Sequence, residues 1–210
     1  FQPQWAGSET RSSRLRTITP APTTPATARA TAAMAERVRS GIVLTRFDGV
    51  NRSASPESFT FADDPAALAT CDIVLVCVKG VATEETARLL AGIAKPDALV
   101  VSLQNGISNA DLLRAHLAGR RILAGMVGFN VAQLERNRFH CGTEGEIVLG
   151  ADDGAADLAR RLNNAGVETA VSTDIEAVQW GKLILNLNNA VNALSGLPLK
   201  QQLSSRPYRQ

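Results

Sequence analysis

The sequence predicts an α/β protein built on a doubly wound parallel sheet, and three observations predict it. Asp72-Ile73-Val74-Leu75-Val76-Cys77-Val78-Lys79 is a continuous apolar run rather than an alternating one. Such a run is the pattern of a strand covered by helices on both faces. Leu99-Val100-Val101-Ser102-Leu103 and residues 122–127 repeat it. Between these runs lie segments with apolar residues at helical spacing, so strand and helix alternate as in successive βαβ units.

Taken in order, residues 1–33 are rich in Ser, Thr, Pro and Arg, and residues 17–31 are a Thr/Pro/Ala stretch with no hydrophobic period. A segment of this kind buries too little apolar area to offset its ordering entropy, so it is expected to be disordered or aberrant. Residues 34–40 read as the end of a helix and Gly41-Ile42-Val43-Leu44-Thr45 as a strand. Thr60 and Phe61 are expected to close a second short strand, before a helix start at Asp63-Asp64-Pro65. Cys77, inside the first apolar run, reads as a buried small hydrophobe. Thr83 is placed as the cap of a helix that carries Leu89, Leu90 and Ile93 on one face. Residues 107–117 form a second amphipathic helix. Glu146-Ile147-Val148-Leu149 is a short strand, residues 152–164 a helix ending before Gly166, and residues 173–194 a long helix. The expected organisation is therefore residues 1–33 outside the fold, 34–172 a partial nucleotide-binding α/β domain, and 173–210 the start of a helical domain.

The net charge of +2 supplies no basic face for nucleic acid or an anionic membrane. No uninterrupted run of about 18 apolar residues is present for a membrane span. Cys71, Cys77 and Cys141 form an odd, unclustered set, which points to a reducing compartment and the cytoplasm. His140 and Cys141 are adjacent, which is not metal-ligand spacing, and His116 sits on an amphipathic helix; no metal site is expected.

Ligands of open α/β sheets bind beyond the carboxyl ends of the strands. Lys79 ends the first strong strand, Gln104-Asn105-Gly106 the second, and residues 125–130 the third. A strand-end lysine also reads as a solvated charge, and Asn-Gly as a turn. On the long helix, Lys182, Asn186 and Asn189 stand at offsets 0, +4 and +7 and share one face. A stripe facing solvent would use Glu, Lys and Arg, whereas asparagine is a poor helix former. Amides beside one amine, with no acid nearby, favour a ligand-facing stripe.

At these residues the chain resembles ketopantoate reductases (2-dehydropantoate 2-reductases). The matching pieces are the Asp72-to-Lys79 run, Leu103-Gln104-Asn105-Gly106, Gly145-Glu146-Ile147-Val148-Leu149-Gly150, and Trp180-Gly181-Lys182-Leu183 followed by Asn186, in family order from about Met34 onward. The resemblance implies a Rossmann-like NADPH domain followed by an all-helical domain. It implies reduction of 2-dehydropantoate to (R)-pantoate in pantothenate biosynthesis, with a small 2-oxoacid as partner and no nucleic acid or membrane. A homodimer is allowed where the complete helical domain is present.

Carried over, Lys182 matches the catalytic lysine and Asn186 a substrate asparagine. Asn105 matches the strand-end asparagine shared by substrate and cofactor, and Lys79 the lysine near the nicotinamide ribose. The family's second helix asparagine falls on Ala190 here; Asn188, Asn189 and Asn192 are its neighbours, and helical phase favours Asn189. No Gly-x-Gly-x-x-Gly occurs anywhere in the chain, and the helical part is short, so truncation at both ends is expected. Two other readings stand beside this one: another 2-oxoacid or 3-hydroxyacid dehydrogenase of the same superfamily, and an inactive fragment.

Overall fold

A computed structural model describes residues 15–18 and 39–197, with Gln201 and Ser204. Its strands are β1 (Leu15–Ile18), β2 (Ile42–Arg46), β3 (Asn51–Ala54), β4 (Ile73–Val76), β5 (Leu99–Ser102), β6 (Arg121–Val127), β7 (Val131–Gln133), β8 (Arg138–Cys141), β9 (Ile147–Gly150) and β10 (Thr169–Ser172). Its α-helices are α1 (Thr83–Ile93), α2 (Asn109–His116), α3 (Ala155–Asn164) and α4 (Ile175–Ser195). The main sheet runs β1-β4-β5-β6-β9-β10. Every neighbouring pair in it is parallel except β6 and β9. A smaller sheet, β3-β2-β8-β7, is built from two antiparallel hairpins joined by the parallel pair β2 and β8.

The continuous apolar runs divide between two cores because successive side chains leave opposite faces of a strand. Val74, Val76, Val100, Ile122 and Ala124 face one side and pack with Ala87 and Leu90 of α1 and Ala110 and Leu113 of α2. Ile73, Leu99, Val101 and Leu123 face the other and pack with Leu158 and Leu162 of α3. Glu84 and Glu85 in the first turn of α1 complement the positive end of its dipole. Asn163 fastens the end of α3 to β10: its Nδ2 donates to the Thr169 carbonyl at 2.8 Å and its Oδ1 accepts from Thr169 N at 3.0 Å.

Several expectations need correction. Residues 1–33 are not wholly outside the fold, because Leu15–Ile18 form an edge strand in register with Ile73–Val76. A parallel neighbour there satisfies backbone groups along the open edge of β4, and a composition averaged over the whole segment hides four residues that end in β-branched Thr17 and Ile18. The remainder of 1–33, and residues 34–38 of the expected helix end, lie outside the described residues. The second short strand is Asn51–Ala54, pairing with β2 across a tight turn, and not a strand closing at Thr60 and Phe61. The helix start at Asp64 is a short 3-10 turn, Pro65–Leu68, with the Asp64 carboxylate accepting from Ala66 N at 2.9 Å. Thr83 is not a cap. A 3-10 turn at Gly80–Ala82 runs directly into α1, and the Thr83 hydroxyl turns inward to Asn109. Cys77 is exposed rather than buried, because the strand ends at Val76 and the chain leaves the sheet there.

Candidate active site

The carboxyl ends of β4, β5 and β6 open onto one cleft, and the middle of α4 forms its opposite wall. The cleft has a volume of about 630 Å3. Asn105, Lys182, Asn186 and Asn189 all line it, together with Cys77, Asn130 and the apolar side chains of Leu103, Val127, Phe129 and Val131. The structure thus brings together four of the five site residues expected from sequence. Lys79 is the exception: it is exposed at the same sheet edge, one strand over from Asn105, but does not line the cleft. Asn188 is exposed and lies off the cleft. The Asn192 Oδ1 is shielded, with no hydrogen-bond partner among the described residues. Of the three candidates for the second helix asparagine, Asn189 is the one on the cleft.

Helical phase explains the wall. Gln179, Lys182, Asn186 and Asn189 recur every three or four residues, so they share one stripe of α4. Gln179, at the buried end, donates from Nε2 to the Gly125 carbonyl on β6 at 3.1 Å. Ile175, one turn earlier, packs against the face of Gly150, where a Cβ would come within 3.1 Å. These two contacts set the rotation of the helix and turn Lys182 toward the strand ends. The Asp174 carboxylate caps the helix by accepting from Ala177 N at 3.0 Å.

The apolar wall depends on two glycines. Gly128 N donates to the Glu146 carbonyl at 2.8 Å, and a Cβ on Gly145 would lie 2.5 Å from the Gly128 carbonyl. Gly145 also has φ +149°, a conformation that other residues rarely adopt. The close crossing sends Phe129, Asn130 and Val131 along the edge of the cleft.

Electrostatically, the cleft holds one ammonium and several amides, and no carboxylate lines it among the described residues. An anionic, oxygen-rich ligand meets donors there without a competing negative charge. Solvent reaches Cys77 at the mouth, yet the surrounding protein crowds it enough that partial burial pushes its thiol pKa up, away from a reactive thiolate. Among the described residues no three His, Cys, Asp or Glu side chains gather as a metal site would require.

Lys79 and Asn105 follow adjacent strands and bring an ammonium and an amide to the same end of the sheet, donors of the kind that could hold ribose hydroxyls or a carboxamide. The sequence after Ile18 runs Thr19-Pro20-Ala21-Pro22, with no glycine before Gly41, and prolines lack the backbone N–H donors that a phosphate-binding turn uses.

Sequence reasoning marked Phe129 and Asn130 at the third strand end but missed Gln179, Val131, and the buried pair Thr83 and Asn109 behind the strand ends. Gln179 was within reach, standing one turn before Lys182 on the same stripe. The others depend on which strand ends meet in space.

Comparison with known proteins points the same way. The family model "Ketopantoate reductase PanE/ApbA" matches residues 21–154, starting upstream of Met34. A 2-dehydropantoate 2-reductase of Halobacterium salinarum is 33% identical over 166 residues, which is 76% of this chain and 54% of that protein. The corresponding enzyme of Caulobacter vibrioides is 28% identical over 68% of this chain and 48% of its own length. This chain therefore spans about half the length of the curated relatives it matches. Among solved structures, a PanE/ApbA family ketopantoate reductase from Ralstonia eutropha superposes with a TM-score of 0.75 at 28% identity, over 84% of this chain and 58% of that one. A Geobacter metallireducens 2-dehydropantoate 2-reductase shares the fold at a TM-score of 0.72 and 22% identity, over 88% of this chain and 67% of that one.

Proposed function

The chain belongs to the ketopantoate reductase family, and from that premise we propose that its cleft binds 2-dehydropantoate and serves the NADPH-dependent reduction of that 2-oxoacid to (R)-pantoate. The observation that supports this reading is the single cleft on which Lys182, Asn186 and Asn189 of α4 meet Asn105 of the β5 end, free of carboxylates among the described residues.

In this reading the Lys182 ammonium faces the ketone oxygen. It stabilises the negative charge that grows there and delivers the proton from Nζ. Asn186 and Asn189 hold the substrate carboxylate and hydroxyl through their side-chain amides. Asn105 orients the carbonyl from the sheet side, and with Lys79 it would hold the nicotinamide end of the cofactor. NADPH, when bound, supplies the reducing equivalent. Leu103, Val127, Phe129 and Val131 exclude water from the reacting carbon and take the apolar part of the substrate.

Residues 173–210 read as the start of a helical domain, which accords with exposed Trp180, Ile184 and Leu185 on α4. A cytoplasmic setting accords with the free thiols of Cys71, Cys77 and Cys141. No described helix is long and apolar enough to cross a membrane. A second reading, a chain that binds the oxoacid without turning it over, is favoured by the glycine-free sequence after β1. NADPH oxidation followed at 340 nm with 2-dehydropantoate separates the two. Turnover that falls about 10²–10⁴-fold in Lys182→Ala supports the first, and Asn186→Ala should raise KM. Oxoacid binding without turnover supports the second, and turnover insensitive to Lys182→Ala overturns the role of that residue.

A further inference from the structure

Beneath the strand ends lies a buried chain of hydrogen bonds that the proposed function does not use. Ser102 Oγ donates to Gln104 Oε1 at 3.1 Å. Gln104 Nε2 donates to the Val78 carbonyl at 2.9 Å and to Thr83 Oγ1 at 2.7 Å. Thr83 Oγ1 donates to Asn109 Oδ1 at 2.9 Å, and Asn109 Nδ2 donates to the Asn105 carbonyl at 2.9 Å. All four side chains are buried, with Thr83 at 0% and Ser102 at 1% exposure.

The orientation of each amide is dictated by chemistry. The Val78 and Asn105 carbonyls only accept, so Gln104 and Asn109 must present nitrogen to them. That leaves the Thr83 hydroxyl one donor and one acceptor role, and it fills both. The two ends of the chain are telling: Val78 precedes Lys79, and the Asn105 carbonyl belongs to the cleft residue itself. Both neighbouring glycines close on the same amide. A Cβ on Gly80 would sit 3.4 Å from Asn109 Oδ1, and one on Gly106 would sit 3.3 Å from Asn109 Nδ2. Gly106 has φ +102°, which completes the turn that presents Asn105.

Buried polar groups contribute little net stability over well-packed apolar isosteres, but they fix one geometry when every member is satisfied. We propose that Gln104, Thr83 and Asn109 are positioning residues that hold the Lys79 and Asn105 strand ends at a set spacing. They do so by acting on backbone atoms beside the site rather than by touching a ligand. That these strand ends meet cofactor and substrate rests on the proposed function; that the network holds them does not.

The two claims separate in one experiment on the full 210-residue chain. Thr83→Val removes the hydroxyl at constant shape, Thr83→Ser keeps it, and Asn109→Asp, read at a pH where the introduced carboxyl is ionised, replaces the donor to Asn105 with a charged acceptor. Backbone ¹⁵N relaxation reads order at Lys79, Gly80, Asn105 and Gly106. The wild-type chain and Thr83→Ser are expected near the rigid value of about 0.85, with Thr83→Val and Asn109→Asp falling toward about 0.6 at Asn105 and Gly106. Thr83→Val should also loosen Lys79 and Gly80. Affinity for 2-dehydropantoate should weaken about tenfold in Thr83→Val and recover in Thr83→Ser. Order parameters unchanged in both Thr83→Val and Asn109→Asp overturn the network. So does loosening in Thr83→Ser equal to that in Thr83→Val. If Thr83→Val does not fold, Asn109→Asp against wild type decides. A wild-type chain that binds no 2-oxoacid, with the relaxation result intact, overturns the functional reading and leaves the network standing.

Discussion

Gln179 is the hydrogen-bonded fastening of α4 to the sheet, and its removal has a calculable cost. The side chain is 8% exposed and donates to the Gly125 carbonyl at 3.1 Å. Gln179→Met keeps nearly the same length and apolar contact but carries no donor. The Gly125 carbonyl is then left without that partner, and an unmade buried hydrogen bond costs about 1–3 kcal/mol. Gln179→Glu adds a pH signature. The neutral carboxyl can donate to Gly125 and the carboxylate cannot, and burial also disfavours the charge, so the introduced group has its folded pKa raised above the unfolded value of about 4.3. Stability from a raised pKa is fully present below the unfolded value and lost as pH rises through the folded one. Urea unfolding, each variant read against the wild-type chain at the same pH, should place Gln179→Glu close to wild type near pH 4 and well below it at pH 7. Gln179→Met should be lower by the same amount at both. A loss in Gln179→Met under about 0.3 kcal/mol, or a Gln179→Glu deficit that does not change with pH, would refute the assigned role.

Other consequences are more direct. Leu158, 1% exposed in the core between α3 and the sheet, should cost about 2–5 kcal/mol when replaced by alanine, measured by urea unfolding. Lys95 Nζ bonds the Asp72 carboxylate at 2.6 Å, which holds Asp72 below and Lys95 above their ordinary ranges. The Asp72 contribution is present above its unfolded pKa and fades as pH falls through the lowered one; that of Lys95 is present below its unfolded pKa and fades as pH rises through the raised one. Asp72→Asn should return Lys95 toward its ordinary titration in a ¹⁵N-detected lysine experiment. With no Gly-x-Gly-x-x-Gly in the sequence, NADPH should bind far more weakly than to a protein that carries the motif, and micromolar or tighter affinity by calorimetry would contradict that.

The sheet was legible because its strands are buried on both faces, which demands apolar side chains at successive positions and so leaves continuous runs such as Ile73–Val76 and Leu99–Ser102. The polar stripe of α4 was legible because helical phase alone places Lys182, Asn186 and Asn189 together. What escaped was set by pairing across long sequence separation. Arg138–Cys141 joins Ile42–Arg46 in parallel, though nothing in its own residues marks it as a strand. Leu15–Ile18 is defined by the β4 edge that it covers. The exposure of Cys77 follows from where the strand stops, which the apolar run of six residues, 73–78, overstates. The family resemblance supplied roles for Lys79, Asn105 and Lys182, while residue chemistry supplied reasons why an amide and an amine suit those places.

Every role proposed for Lys182, Asn186 and Asn189 requires that the oxoacid bind in the cleft between α4 and the strand ends. Titrating the isotope-labelled chain with 2-dehydropantoate and following side-chain amide and lysine signals tests this directly. Saturable shifts are predicted at Asn105, Lys182, Asn186 and Asn189, and those at Asn105, Lys182 and Asn189 should weaken in Asn186→Ala at the same ligand concentrations. Shifts confined to the separate cavity of about 220 Å3 beside Leu44, Phe139 and Val167, or shifts that persist unchanged in Asn186→Ala, would contradict it.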